Sequence, residues 1–304
     1  RMRSIIAGLP AVLLLCMVAT GQEGSQSPSA DVKHVEVNGA RLAYIERGSG
    51  TPVVFVHGAI SDYRTWAAQL EPFSKRYRVI SYSRRYHYPN TRPEADADYS
   101  RSVHAADLAA FLRALGLGRA HLVGHSYGGS VAALVAMEHP ELVRSLVLGD
   151  PSLFAVLQTQ EAKAHLSAQR ETLSAVLAPL KEKKDEQAIR LFLKGVIGAD
   201  VLDSLPAASR GVIMDNVGTL GPMLATYFDP NRLDCDRARG IETPTLLLTG
   251  EFSPKIYGQV VGALDRCMPN AEVSILARAS HGLQLERPKE FNEVVLSFLE
   301  KHHR

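Results

Sequence analysis

The hexapeptide Gly124-His125-Ser126-Tyr127-Gly128-Gly129 constrains this chain more than any other feature. It directly follows the apolar run 120–123 and directly precedes a stretch rich in alanine and valine. A serine with glycine two residues to either side, set between a strand and a helix, describes a tight strand-to-helix elbow. The reason is steric. The turn strains the serine backbone and crowds its neighbours, and glycines at 124 and 128 remove the Cβ atoms that would clash. Such a turn carries the hydroxyl to a helix N-terminus, where free amides and the helix dipole favour an oxyanion.

The surroundings fit a sheet that can support such an elbow. Short continuous apolar runs recur at 52–56, 78–82, 120–124, 145–148, 245–249 and 273–276, the pattern of strands buried on both faces of a parallel sheet. Helical spacing of apolar residues occupies 103–115, 129–137 and 291–299. This alternation predicts an α/β fold, a mostly parallel sheet with right-handed crossovers. Ahead of it, 35–37 and 42–45 flank Asn38-Gly39 and predict a hairpin. From Ser152 to about Arg237 the alternation stops and the pattern is helical throughout. A helical insertion there predicts a cap, 152–237, over a ligand site, dividing a core of 32–151 and 238–304.

The N-terminal segment reads as a targeting signal. Arg1 and Arg3 precede an apolar run over 5–19, broken only by Gly8 and Pro10, and Ala19-Thr20-Gly21 offers a small-residue exit. Residues 1–21 are therefore expected to be a cleavable signal and 22–31 a flexible lead-in, making the protein periplasmic or extracellular; an uncleaved anchor is the alternative. No stable membrane insertion is expected once the signal is gone. Cys16 would leave with it. Cys235 and Cys267 then remain, and one disulfide or two buried thiols both fit the sequence.

Composition bounds the partners. With 46% hydrophobic residues there is ample core material, and a net charge of +2 without a basic run gives no case for nucleic acid. No cluster of closely spaced cysteine and histidine calls for a metal. The sequence does not set the oligomeric state.

Three further motifs join the elbow. His57-Gly58-Ala59 ends the run at 52–56, Pro-Thr-Leu-Leu-Leu-Thr-Gly spans 244–250, and Ala279-Ser280-His281-Gly282 follows the last strand and precedes a closing helix with Pro288. In these features the chain resembles the α/β-hydrolase family, over about 35–299. The resemblance implies a mostly parallel central sheet flanked by helices, with a helical cap inserted after the sixth strand. It also implies Ser126 as nucleophile, His281 as general base, and the amides of Ala59 and Tyr127 as the oxyanion hole, with no cofactor. A serine hydroxyl is a poor nucleophile alone and needs such a base within reach.

The acid departs from the family pattern. The usual aspartate position, three residues beyond Gly250, holds Ser253, which cannot supply the charge that steadies an imidazolium. Asp150, at the end of the strand after the elbow helix, is the favoured acid, and some family members carry theirs at that strand end; Glu251 is the alternative. A turn or cap role is the competing reading of Asp150. The segment Tyr82 to Asn90 also departs, with bulky aromatic and basic residues replacing a glycine-rich loop. These residues either line the pocket mouth and contact the substrate or, as the default reading, pack the loop and pair with nearby carboxylates. His87, His104 and His121 are expected to be structural, His125 and Trp66 to pack.

The leading function is hydrolysis of a carboxylic ester or lactone, a small molecule, through an acyl-serine. Amide hydrolysis, carbon–carbon bond hydrolysis and cofactor-free perhydrolysis use the same three residues. A non-catalytic binder on this fold is the rival reading. Serine at 126 argues against covalent alkyl-enzyme chemistry, which needs an aspartate there.

Overall fold

The computed structural model describes residues 31–94, 97–227 and 233–303. The expected signal and residues 22–30 of the lead-in lie outside them.

Two short strands open the fold. β1 (Lys33–Val37) and β2 (Ala40–Arg47) form an antiparallel hairpin. Its two linking residues, Asn38 and Gly39, both take positive φ, 47° and 72°. That turn matches the right-handed twist of the strands, and Asn-Gly is the pair that adopts it most readily. β3 (Pro52–Val56) follows, then α1 (Ala67–Ser74), β4 (Arg78–Tyr82), α2 (Arg101–Ala114), β5 (Ala120–His125), α3 (Tyr127–Glu138) and β6 (Val143–Gly149). After a long helical segment come β7 (Thr245–Gly250), α10 (Lys255–Cys267), β8 (Ala271–Leu276), α11 (Leu283–Glu286) and α12 (Pro288–Lys301).

The intervening segment holds α4 (Gln160–Ser174), α5 (Leu177–Lys181), α6 (Asp185–Ile197), α7 (Ala207–Asp215), α8 (Leu220–Tyr227) and α9 (Cys235–Ala238). Among its described residues there is no strand. Its helices are separately punctuated. The Thr159 side chain accepts from the Ala162 amide at the start of α4, and Gly198, at φ 89°, ends α6 in the left-handed conformation.

The eight strands form one sheet in the order β1-β2-β4-β3-β5-β6-β7-β8. β2 is antiparallel to both neighbours, and every pairing from β4 to β8 is parallel. Val53 to Val56 are fully buried, as a central parallel strand requires. The chain moves outward from β3 to β4, then crosses back to β5 on the other side. Right-handed crossovers in opposite directions place α1 and α2 on opposite faces. α3 packs with α2, and α12 with α1. The reversal at β3 opens a crevice at the carboxyl ends of β3 and β5, the usual ligand position in such sheets.

Beyond the expected set the core also has α1, α10 and the single-turn α11. α1 is short and contains Pro72. α10 is a regular amphipathic helix that buries Ile256, Val260, Val261 and Leu264. Cys235 and Cys267 are joined in a disulfide that pins α9 to α10. Among the described residues no helix is long and apolar enough to cross a membrane.

Candidate active site

The elbow forms as its sterics demand. Ser126 lies between β5 and α3 at φ 52°, ψ −118°, a left-side conformation that costs a non-glycine residue free energy. Its amide donates to Gly149 O on β6 at 2.8 Å, which fixes the turn to the sheet. A Cβ on Gly124 would sit 2.7 Å from Gly128 O, and one on Gly128 would sit 2.3 Å from His57 O and Val56 O. No side chain fits either place, so α3 reaches the end of β3 only with glycine at 128.

Three side chains from three strand ends meet here. Ser126 Oγ lies 3.1 Å from His281 Nε2, and His281 Nδ1 lies 3.1 Å from Asp150 Oδ2. Asp150 follows β6 directly and is fully buried at φ 41°. His281 comes from the loop after β8, and both it and Ser126 are buried. Ser253 stands beside the carboxylate rather than replacing it: its Oγ donates to Asp150 Oδ2 at 2.6 Å and accepts from the Gly250 amide at 3.1 Å. A hydrogen bond from hydroxyl to carboxylate is a strong, charge-assisted one.

Glu251 is not with them. Its carboxylate accepts from the Arg278 amide at 2.9 Å on the exposed turn after β8. One residue past the strand end, its side chain points outward, and it is Asp150 that lies beside His281.

Gly58, at the end of β3, faces the serine: a Cβ there would lie 3.4 Å from Ser126 Cβ. The Ala59 and Tyr127 amides have no acceptor among the described residues. For Tyr127 this follows from its place at the first position of α3, where helical amides point free.

Several contacts were not anticipated from the sequence. His125 Nε2–H donates to the His281 carbonyl at 2.7 Å, tying the elbow to the loop that carries the histidine. Burial, and then the proximity of His281, push the His125 pKa down to about 3, so its ring is neutral. The Tyr257 ring stacks on the His281 ring at 4.1 Å with 21° between planes. Burial holds the Tyr257 hydroxyl well above the usual phenol range. Neither residue carries a sequence signal that separates it from core packing. His87, His104 and His121 do not join the Ser126–His281–Asp150 line. His87 Nδ1 lies 2.6 Å from Ser61 O, and His121 Nδ1 lies 2.7 Å from Ser145 Oγ. His104 is buried among aromatic rings. Trp66 stacks on Phe55 of β3 at 4.7 Å.

The helical segment is fastened to the loops beside this site. Asn216 donates to Asp62 Oδ2 at 2.7 Å and accepts from the Tyr88 amide at 2.8 Å. Arg64 donates to Asp215 at 2.8 Å, and Arg101 of α2 donates to Tyr227 O at 2.8 Å.

Residues 51–288 match the family model described as the alpha/beta hydrolase fold. The chain belongs to the α/β-hydrolase family. It is 26% identical over 271 residues to (E)-2-((N-methylformamido)methylene)succinate hydrolase of Acinetobacter baylyi, an alignment covering 88% of this chain and 98% of that protein. It is 25% identical to epoxide hydrolase 3 of Xenopus tropicalis, covering 87% of this chain and 76% of that one. Among solved structures it is similar to Est816, described as an N-acyl homoserine lactone degrading enzyme. That match has 28% identity and a TM-score of 0.66, covering 88% of this chain and all of that one. The α/β-hydrolase assignment makes this protein an enzyme of hydrolysis, and its relatives act on varied substrates.

Proposed function

We propose that this hydrolase cleaves a carboxylic ester or a lactone through an acyl-serine on Ser126. The observation that carries the reading is the continuous line Ser126 Oγ, His281 Nε2, His281 Nδ1, Asp150 Oδ2, with both hydrogen-bond gaps at 3.1 Å, on a strained elbow at a helix N-terminus. His281 Nε2 takes the serine proton as Oγ attacks the substrate carbonyl. Asp150 accepts from Nδ1–H, so it fixes the tautomer and stabilises the imidazolium. The negative oxygen of the tetrahedral intermediate turns to the Ala59 and Tyr127 amides. The imidazolium then protonates the departing alcohol. Water repeats the sequence against the acyl-enzyme, with His281 again as base.

His125 and Tyr257 hold His281 in place in this scheme, one through its carbonyl and one against its ring face. The helices from 160 to 227 act as the cap, and their bonds to Asp62, Tyr88 and Arg101 support that role. Export through the N-terminal signal is part of the proposal, and the Cys235–Cys267 disulfide suits an oxidising compartment. Similarity to Est816 favours the lactone as one substrate class. A second reading, hydrolysis of an amide or carbon–carbon bond by the same residues, draws on the likeness to the methylenesuccinate hydrolase.

Turnover of short- and medium-chain p-nitrophenyl esters and of acyl lactones by the purified protein, beside Ser126→Ala, tests the reading. Turnover by the wild type and its loss in the variant are expected. Equal turnover in both proteins, or none in the wild type, overturns it.

A further inference from the structure

Arg84 is an unusual residue for its location. It follows β4 and is 1% exposed, yet among the described residues no carboxylate pairs with it. Its guanidinium donates instead to two main-chain carbonyls of the loop after β3, Gly58 O at 2.9 Å and His57 O at 3.2 Å. Its own amide donates to His57 Nε2 at 2.9 Å. That bond assigns the His57 tautomer, because Nε2 must be the acceptor and Nδ1 must carry the hydrogen. Nδ1–H then donates to the same Gly58 carbonyl at 2.9 Å. Burial, and then the Arg84 charge, keep the His57 pKa well below its usual range, so the ring stays neutral. Gly58 O is thus held by two donors, one of them a full positive charge.

That carbonyl belongs to the peptide unit whose N–H is the Ala59 amide. In a planar trans peptide the carbonyl and the N–H point in opposite directions, so fixing one aims the other. Hydrogen bonds to the carbonyl also polarise the unit and make its N–H a stronger donor. The same guanidinium lies 4.8 Å over the Tyr127 ring, the residue whose amide is the second candidate donor.

We propose that Arg84 is a positioning residue of the oxyanion hole: it grips the Gly58–Ala59 peptide by its carbonyl and so aims and polarises the Ala59 amide toward the reacting oxygen. The proposal rests on the acyl-serine reading above. It gives the bulky basic segment after β4 a function, since a glycine-rich or aliphatic loop offers no charge at this point.

The test compares wild type, Arg84→Met, Arg84→Lys and Ser126→Ala on a p-nitrophenyl ester, with kcat counted per site titrated by a fluorophosphonate. Phenylboronic acid, which forms a tetrahedral adduct on an active serine, serves as the transition-state probe. Arg84→Met is expected to lower kcat roughly ten- to hundredfold, less than the loss of a direct donor, and to weaken phenylboronic acid by a similar factor, with KM changed less than about threefold. Arg84→Lys keeps the charge but not the fork, and is expected to fall between Met and wild type. Fewer titrated sites with unchanged kcat per site would mean a purely structural role and would overturn the proposal. Unchanged boronate affinity, or a change in KM alone, would also overturn it. Should Arg84→Met not fold, wild-type kcat and boronate affinity in Arg84→Lys decide against it. Absent turnover in the wild type, or retained turnover in Ser126→Ala, overturns the acyl-serine reading itself and the inference with it. Wild-type behaviour of the Arg84 variants beside an inactive Ser126→Ala overturns the inference alone.

Discussion

Moving the carboxylate from position 150 to position 253 should move the triad acid while leaving its charge in the site. Asp150→Asn keeps the shape but removes the charge and the acceptor that His281 Nδ1–H uses at 3.1 Å. A change of this kind costs on the order of 10⁴ in kcat, about 5.4 kcal/mol at 1.36 kcal/mol per decade. Ser253 already touches the Asp150 carboxylate at 2.6 Å, so its Cβ points at the space the acid occupies. In Asp150→Asn/Ser253→Asp the new carboxylate enters from β7 rather than β6, and at least a hundredfold of the lost kcat should return. Ser253→Ala alone removes one hydrogen bond to a charged acceptor, about 1.5–3 kcal/mol of stability. That bond persists through the reaction, so kcat should fall less than about tenfold. The assay is ester hydrolysis per titrated site, with urea unfolding as the stability control. An Asp150→Asn enzyme within tenfold of wild type would refute the assignment of the acid. A folded double variant no faster than Asp150→Asn would refute the claim that position 253 reaches His281.

Three other outcomes are expected. His57, His87, His104 and His121 are buried and His125 is partly buried, and desolvation disfavours their charged forms, with His121 and His125 pushed to about 3. Folded values below the unfolded 6.5 mean that the unfolded chain binds more protons between these limits. Stability should therefore be full above pH 7 and drop as pH falls below 6.5, by up to about 1.4 kcal/mol per pH unit for each histidine; flat urea midpoints from pH 7 to 5 would contradict this. The disulfide closes a span of 32 residues, which by loop entropy stabilises by about 3.7 kcal/mol. Cys235→Ser/Cys267→Ser should lower the unfolding free energy accordingly, and an unchanged value would count against the pairing. Gly128→Ala places a methyl 2.3 Å from two carbonyl oxygens, so the variant should lose about 4 kcal/mol or fail to fold; a wild-type melting temperature would show that α3 is not held so closely to β3.

The sheet, the elbow and the candidates Ser126 and His281 are legible in the amino-acid order, with Asp150 favoured over Glu251 as the acid. Those signals are local. A buried parallel strand is a continuous apolar run, Asn38-Gly39 sets its own hairpin, and glycines 124 and 128 mark a turn that admits no side chain. His281 is readable because Ala279-Ser280-His281-Gly282 lies between a recognisable last strand and a closing helix with Pro288. Contacts between distant segments leave no such local signal. Asp150 and Glu251 both follow strand ends, and either is chemically able to serve as the acid. Only the side-by-side packing of β6 and β7 turns one toward His281 and the other toward Arg278. Ser253 stands in the sequence where the family's acid is usual; in the fold it donates to the Asp150 carboxylate. The pairing of Cys235 with Cys267 needed the docking of α9 on α10. Arg84 reads in the chain as one of the basic residues that line the pocket mouth or pack the loop; because β3 and β4 are neighbours, its guanidinium reaches the carbonyl behind the Ala59 amide.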